Sequence, residues 1–402
     1  MVNEKAKKYG GSGSAIRALF EYGKKRKQEV GADNVYDFSL GNPSTPAPKA
    51  FNDALIKVMQ ETDPVLLHSY TSANGSKSAR ECIANYLNEK YDAGVDRHFV
   101  YLTCGAAAGL TITLKALSTS SDDEVIVIAP FFPEYSVFID NAGMKRVIVN
   151  PDKDMLPDFN DLEAKITKNT RVVMIDSPNN PTGVVYSEEV IIKLASLLSK
   201  KEKEYDHEIY LLSDEPYREL IYSDKKYPFV TRYYDNAIVT YSFSKSLSLP
   251  GERLGYIVLN PKMNDVQEVY DAIKGAGRML GFVNAPALFQ HVLPHVINMT
   301  SSFEDYLVNR ELLYKGLVDL GYEVIYPEGA FYMFVKALEE DDFNVSYLCN
   351  NIFINPLSSI CSDELYRILC AISKLSDYDL VILDLPFTNM ECINKLSFCE
   401  TI

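Results

Sequence analysis

The sequence predicts an α/β fold, a mostly parallel sheet flanked by helices, joined to a smaller α+β domain. Three observations predict it. From about residue 80, helical segments alternate with short apolar runs at residues 125–129, 145–149, 172–175, 209–213, 237–241 and 254–259. Strands alternating with helices need a sheet covered on both faces. Polar motifs follow several of these runs directly, where ligands sit in such sheets, beyond the carboxyl ends of the strands. Beyond about residue 290 the pattern changes to long helices, then to a strand, a Pro-Glu-Gly-Ala turn and a second strand over residues 321–335. The expected division is a large domain over 51–289, with 1–50 and 290–402 forming an N-terminal arm and a small domain.

Taken in order, residues 14–30 read as an amphipathic helix, with Ile16, Leu19 and Phe20 on one side and Lys24, Lys25 and Arg26 toward solvent. Gly41-Asn42-Pro43-Ser44-Thr45-Pro46 is a loop of turn formers. Thr103-Cys104-Gly105-Ala106-Ala107-Ala108-Gly109 follows a short apolar run and opens a helix. Small residues there let backbone N–H groups approach a phosphate, with the helix dipole favouring the anion; a tightly packed helix start reads the same way. Pro130-Phe131-Phe132-Pro133-Glu134-Tyr135 offers Phe132 as a ring to stack on a planar ligand, although adjacent phenylalanines also suit a core.

Asp176-Ser177-Pro178-Asn179-Asn180-Pro181-Thr182-Gly183 has prolines and a glycine that fix the backbone, so that an asparagine amide can point into a cleft. Ser213-Asp214-Glu215-Pro216-Tyr217 supplies a carboxylate and a phenol at a strand end; alone it would also serve as a turn. The most informative stretch is Tyr241-Ser242-Phe243-Ser244-Lys245-Ser246-Leu247-Ser248-Leu249-Pro250-Gly251-Glu252-Arg253. A partly desolvated lysine forms Schiff bases, while serine hydroxyls and an arginine fork suit a phosphate dianion. Pyridoxal phosphate carries both an aldehyde and a phosphate. With that ring in place, Asp214 would keep the pyridine nitrogen protonated, and Tyr217 and Asn180 would bond its phenolic oxygen.

Bulk properties narrow the function classes. The chain has 402 residues, 47% hydrophobic and 24% charged, with a net charge of −15. Such a field opposes nucleic acid and anionic membranes, and no dense Lys/Arg run reverses it. No apolar run approaches the roughly 20 residues of a membrane span, and residues 1–13 lack a signal-like stretch, so a cytoplasmic protein is expected. Seven cysteines without a C-x-x-C pair fit reduced thiols. Several patterns fail for want of context. Ser242-Phe243-Ser244-Lys245 has the S-x-x-K form without its S-D-N and K-T-G companions, and Gly11-Ser12-Gly13 lacks a preceding strand. His291 and His295 are separated by Pro294, with no metalloprotease glutamate between them, and no metal site is predicted.

With its motifs in order, the chain resembles fold-type I, class I/II pyridoxal-phosphate-dependent aminotransferases of the bacterial aspartate-aminotransferase-like group, over about residues 14–340. The resemblance implies that Lys245 is the Schiff-base lysine and later the base at substrate Cα, with Asp214 on the pyridinium. It implies Tyr217 and Asn180 on the phenolic oxygen, Phe132 on the ring, and Ser242, Arg253 and the Gly105, Ala106 and Ala107 amides on the phosphate. Tyr70, in His68-Ser69-Tyr70-Thr71, matches the tyrosine that reaches a neighbouring subunit's phosphate, so a homodimer with shared sites is implied. Gly41 and Asn42 match the loop over the substrate, and Arg367 the arginine that grips its carboxylate. The implied reaction moves an amino group between an L-amino acid and a 2-oxo acid in two half-reactions. A lyase or racemase on the same scaffold, or a cofactor-binding homologue with impaired turnover, would share the ring-binding residues.

From about residue 340 the sequence departs from the family pattern. Leu357-Ser358-Ser359-Ile360-Cys361-Ser362-Asp363-Glu364 stands where glycines are usual, and Asp363 and Glu364 could pair with Arg367. A helix is expected around residues 345–351, and residues 377–386 read as a buried strand where the family has a helix. These departures predict that cofactor binding is kept better than transamination.

Overall fold

The computed structural model describes residues 2–11, 15–37, 41–336, 347–349 and 381–382. They fall into two compact units. The larger comprises Pro43–Asn179 and Val184–Phe303, and the smaller takes in the described residues of 1–42, Asn180–Gly183, and those from Glu304 onward. In chain order, strand β1 is Tyr36–Asp37; then come β2 (Val100–Thr103), β3 (Glu124–Ile128), β4 (Lys145–Val149), β5 (Thr170–Asp176), β6 (Tyr210–Asp214), β7 (Ala237–Ser242) and β8 (Gly255–Leu259).

Strands β2 to β8 form the seven-stranded sheet of the larger unit, in the order β2-β8-β7-β6-β5-β3-β4. Pairings from β4 across to β7 are parallel, and β8 runs antiparallel to both β2 and β7. Every residue of β7 and β8 is buried, the pattern of strands covered on both faces. The predicted apolar runs become strands to within two residues at each end, and the mostly parallel α/β fold is the one observed. Helices begin where the sequence supplies caps: Ser76 accepts from the Ala79 N–H ahead of Lys77–Tyr91, and Ser187 from that of Val190 ahead of Glu188–Tyr205. Leu110, Leu114, Val127, Met174, Ile238 and Ile273 belong to one buried cluster joining helices Ala106–Leu117 and Val266–Met279 to the sheet. Helix Ala287–Val296 runs through Pro294, so the proline does not separate His291 from His295 as the sequence suggests; it stands in the last turn, near where the helix ends anyway.

The smaller unit holds helix Ala15–Val30, matching the amphipathic helix expected over 14–30, and helix Glu304–Asp319. It also holds an antiparallel sheet of β9 (Val324–Ile325), β10 (Phe334–Lys336) and β11 (Tyr347–Cys349). Leu317, Tyr322, Met333 and Val335 form its core. Where a helix is expected around 345–351, the described residues Tyr347–Cys349 form the strand β11, registered Phe334↔Cys349 and Lys336↔Tyr347. The cause is tertiary: β10 presents an edge, and pairing outweighs a weak local helix preference. Val381–Ile382, as β12, pairs in parallel with Tyr36–Asp37; the rest of the 377–386 stretch lies outside the described residues. Within this unit Gly183, at φ 73°, accepts from the Glu328 and Gly329 N–H groups at 2.9 Å each. A Cβ on Gly183 would lie 2.4 Å from Pro327 Cβ, so the close approach of the two turns requires glycine there.

Candidate active site

In the larger unit, the chemistry-bearing residues gather at one edge of the sheet. Parallel strands β6 and β7 bring Asp214 and Ser242 to their carboxyl ends. Because β8 runs the other way, its first residue, Gly255, registers with both Thr103 and Ser242 at that same edge. A Cβ on Gly255 would stand 2.3 Å from the Tyr241 carbonyl oxygen and 2.9 Å from Gly105 Cα. The absence of a side chain therefore lets the Gly105 turn reach the strand that leads to Lys245.

Asp214 is buried, and its carboxylate is held by two donors: Tyr135 Oη to Oδ2 at 2.9 Å and Thr240 Oγ1 to Oδ1 at 3.2 Å. Burial pushes its pKa up to about 7, against the lowering effect of those two hydrogen bonds, with neighbouring Glu215 adding to the rise. A cation placed against it would reverse that shift, so this carboxylate suits a protonated heterocyclic nitrogen. The raised pKa has a consequence for stability. The unfolded chain releases this proton near pH 4 and the folded chain only near pH 7, so the folded state binds more protons between them and stability falls as pH rises through that window. In cofactor-free protein, Asp214→Asn is expected to remove a loss on the order of a few kcal/mol between about pH 4 and pH 7. Urea melts of both proteins across that range would test it, and parallel pH profiles would overturn it.

Lys245 lies on the single helical turn Phe243–Ser246, immediately after β7. It is half-buried, and its Nζ stands 5.7 Å from the centroid of the buried Tyr217 ring. Desolvation and then the positive charge of Arg253 bring its pKa down to about 8. Near neutral pH an appreciable fraction of the amine is therefore unprotonated, the form that attacks a carbonyl or accepts a proton. Phe132, partly buried, meets Tyr135 edge-on at 5.6 Å between centroids.

A second cluster suits an anion. Helix Ala106–Leu117 begins beside Gly105, whose φ of 82° and whose carbonyl bond from Thr103 Oγ1 at 2.9 Å fix the turn. Arg253 is exposed; its guanidinium donates to the Cys104 carbonyl at 3.2 Å and to Ser244 Oγ at 3.4 Å. Ser244 and Ser242 hydroxyls are 2.6 Å apart. A helix N-terminus, a guanidinium and two hydroxyls form a phosphate-binding set. A Cβ on Gly105 would lie 2.4 Å from Nη2 of the exposed Arg253, so losing the glycine displaces the guanidinium from the cradle. The residues present thus fit pyridoxal phosphate at both ends: this cradle for the phosphate and Asp214 for the ring nitrogen. Gly105→Ala combines that clash with a left-handed backbone, and we expect it to weaken cofactor affinity at least about tenfold and to lower stability by roughly 1–2 kcal/mol. Absorbance titration with pyridoxal phosphate checks this, and wild-type affinity would refute it.

The remaining predicted residues are placed as follows. Tyr70 follows helix Pro64–His68 and is 95% exposed. Ala106 is buried and Ala107 exposed at the helix start. Asn180 is buried just beyond β5 and groups with the smaller unit, as do Gly41 and Asn42; Arg367 lies outside the described residues. Sequence reasoning missed Tyr135, Thr240 and Ser244. Only Ser244 had a signal, as a second hydroxyl beside the lysine; the other two act across the sheet. Also missed was a buried ion cluster behind the lysine. Arg218, fully buried, donates to Glu215 Oε2 at 2.7 Å, to Tyr256 Oη at 2.7 Å and to Glu219 Oε1 at 3.4 Å, and its guanidinium sits 4.4 Å from the Tyr241 ring centroid.

This fold and edge define a pyridoxal-phosphate enzyme scaffold of fold type I. The chain matches the aminotransferase class I and II family over residues 33–380 and belongs to it. It is similar to a solved aminotransferase of Eubacterium rectale, at 45% identity and a TM-score of 0.85, over 93% of this chain and 98% of that one. The aspartate aminotransferase of Pyrococcus horikoshii is 30% identical over 332 residues, 80% of this chain and 79% of that protein. A probable aspartate aminotransferase of Methanocaldococcus jannaschii is 29% identical over 335 residues, 82% of this chain and 83% of that protein.

Proposed function

We propose that this chain is a pyridoxal-phosphate-dependent aminotransferase that moves an amino group between an L-amino acid and a 2-oxo acid by a ping-pong reaction through Lys245. The observation that carries the reading is the company of Lys245: an amine of lowered pKa, the Arg253 and Gly105 cradle, and buried Asp214. When bound, the cofactor supplies an electron sink that stabilises negative charge at the substrate Cα. Asp214 holds the ring nitrogen protonated, itself oriented by Tyr135 and Thr240. Tyr217 and Asn180 would orient the phenolic oxygen, Phe132 would stack on the ring, and Ser242, Arg253, Gly105, Ala106 and Ala107 would hold the phosphate. Lys245 would serve as the base that takes the proton from the substrate Cα and delivers it to the C4′ carbon of the cofactor. Gly41, Asn42 and Arg367 complete the reading on the substrate side.

A homodimer is part of the proposal, with Tyr70 reaching the partner's phosphate. Support comes from the larger unit's surface, where Ile56, Met59, Val65, Leu66, Met279 and Val283 are exposed along with Tyr70. Asn284, next to Val283, donates to the carbonyl of Thr71, next to Tyr70, at 2.8 Å. Exposed apolar side chains of this kind are compatible with association through this surface. A cytoplasmic setting belongs to the same reading, from the acidic charge and from Cys82 and Cys104, which are free thiols among the described residues.

The test is a spectral titration of the purified, cofactor-loaded protein with a panel of amino acids. Conversion of the visible band to the pyridoxamine form, with release of the matching 2-oxo acid, is expected. Ammonia or pyruvate as product would instead assign a lyase, inversion of the amino acid a racemase, and a band that no amino acid converts a cofactor-binding homologue without turnover.

A further inference from the structure

We propose that Glu219, Tyr241 and Ser246 are positioning residues for Lys245, forming a buried hydrogen-bond chain that fixes the single turn on which the lysine stands. A four-residue helix cannot hold its own shape, since one turn orders several residues for a single backbone bond. The turn Phe243–Ser246 is therefore held from outside. Ser242 Oγ accepts from the Ser244 N–H at its start, and the Ser301 N–H donates to the Ser246 carbonyl at 2.7 Å at its end.

The side-chain link is directional. Tyr241 Oη donates its one proton to Glu219 Oε2 at 2.8 Å. The 2.6 Å contact between Tyr241 Oη and Ser246 Oγ must then be donated by the serine. Ser246 is buried, so its hydroxyl has a fixed direction next to Lys245 in the chain. Glu219 is in turn pinned by Arg218 and by Tyr86 Oη, which donates to Oε1 at 3.1 Å. The Tyr241 ring stacks on Tyr256 at 4.8 Å and meets Phe243 edge-on at 5.1 Å, so it is packed on two sides. A rigid cluster is coupled in this way to the residue adjoining the reactive amine. Arg253, whose charge acts on that amine, and Tyr217, whose ring centroid stands 5.7 Å from it, do not belong to the chain.

The inference rests on Lys245 being the reactive amine of the proposed function. Its test does not need the cofactor. The full-length protein is treated with an amine-acylating ester across a pH series, and acylation of Lys245 is followed by peptide mass spectrometry. Ser246→Ala removes the last link and leaves Tyr241 bonded to Glu219; Tyr241→Phe breaks the chain one step earlier. Loosening the turn hydrates the amine, so in either variant that folds by circular dichroism the labelling midpoint should rise by about one pH unit, slowing acylation near neutral pH roughly tenfold. A purely structural role would lower the melting temperature and leave the midpoint in place. Wild-type midpoints in the folded variants would overturn the proposal. Failure of wild-type protein to bind pyridoxal phosphate would overturn the proposed function while leaving the labelling result standing.

Discussion

Replacing Lys245 with alanine is expected to abolish the visible band of the cofactor-loaded protein and to slow amino-group transfer by at least about a thousandfold, since a nucleophile and a proton carrier are lost together. The substitution removes an amine whose pKa has been brought to about 8 by burial and by Arg253. It leaves Arg253, Ser242, Ser244 and Gly105 in place, and they contact one another without the lysine. The phosphate end should therefore still be recognised: inorganic phosphate or pyridoxal phosphate should protect the variant against thermal unfolding. A single experiment then separates covalent capture from anion binding. Persistence of the visible band in Lys245→Ala would falsify the assignment.

Arg218→Met should destabilise the protein by roughly 3–5 kcal/mol, the usual loss when one partner of a buried ion cluster is removed. The guanidinium is fully buried and bonded to Glu215 and Glu219. Without it Glu215 loses its buried ion-pair partner and Glu219 keeps only the weaker attraction of Lys90, while burial already pushes the Glu215 pKa up. Methionine fills the volume between the Tyr91, Phe229 and Tyr241 rings, so the loss measures charge rather than a cavity. Adding Glu219→Gln to Arg218→Met should recover part of the loss, because neighbours in one network are not additive. Chemical denaturation of the three proteins decides it. A loss below about 1 kcal/mol for the single variant would mean that water or protonation satisfies the two carboxylates.

The fold of the larger unit was legible because each strand is an apolar run ending in a polar motif, as in the passage from Leu211 and Leu212 to Asp214. Local sequence also carried the grouping around Lys245, since Ser242, which caps its turn, and Arg253, which donates to Ser244, lie within one continuous stretch. Tyr135 and Thr240 were not legible. Each touches Asp214 from a different element, and nothing in a tyrosine or a strand threonine announces a carboxylate 79 or 26 residues away. Arg218 was passed over for a similar reason: beside Tyr217 it reads as a surface charge, and only the fold encloses it in rings. The strand Tyr347–Cys349 was mistaken for a helix because its partner, Phe334–Lys336, lies outside any window short enough to read locally.

Gly255 opens an antiparallel strand at an edge otherwise made of parallel strand ends, and it allows the Gly105 turn and the Tyr241 carbonyl to approach with only a hydrogen between them. The distance between the anion cradle and the lysine turn is therefore gauged by main chain alone. Side chains around the edge can be exchanged to suit one amino acid or another without altering that gauge. A bulkier residue at Gly255 would shift both ends of the site at once.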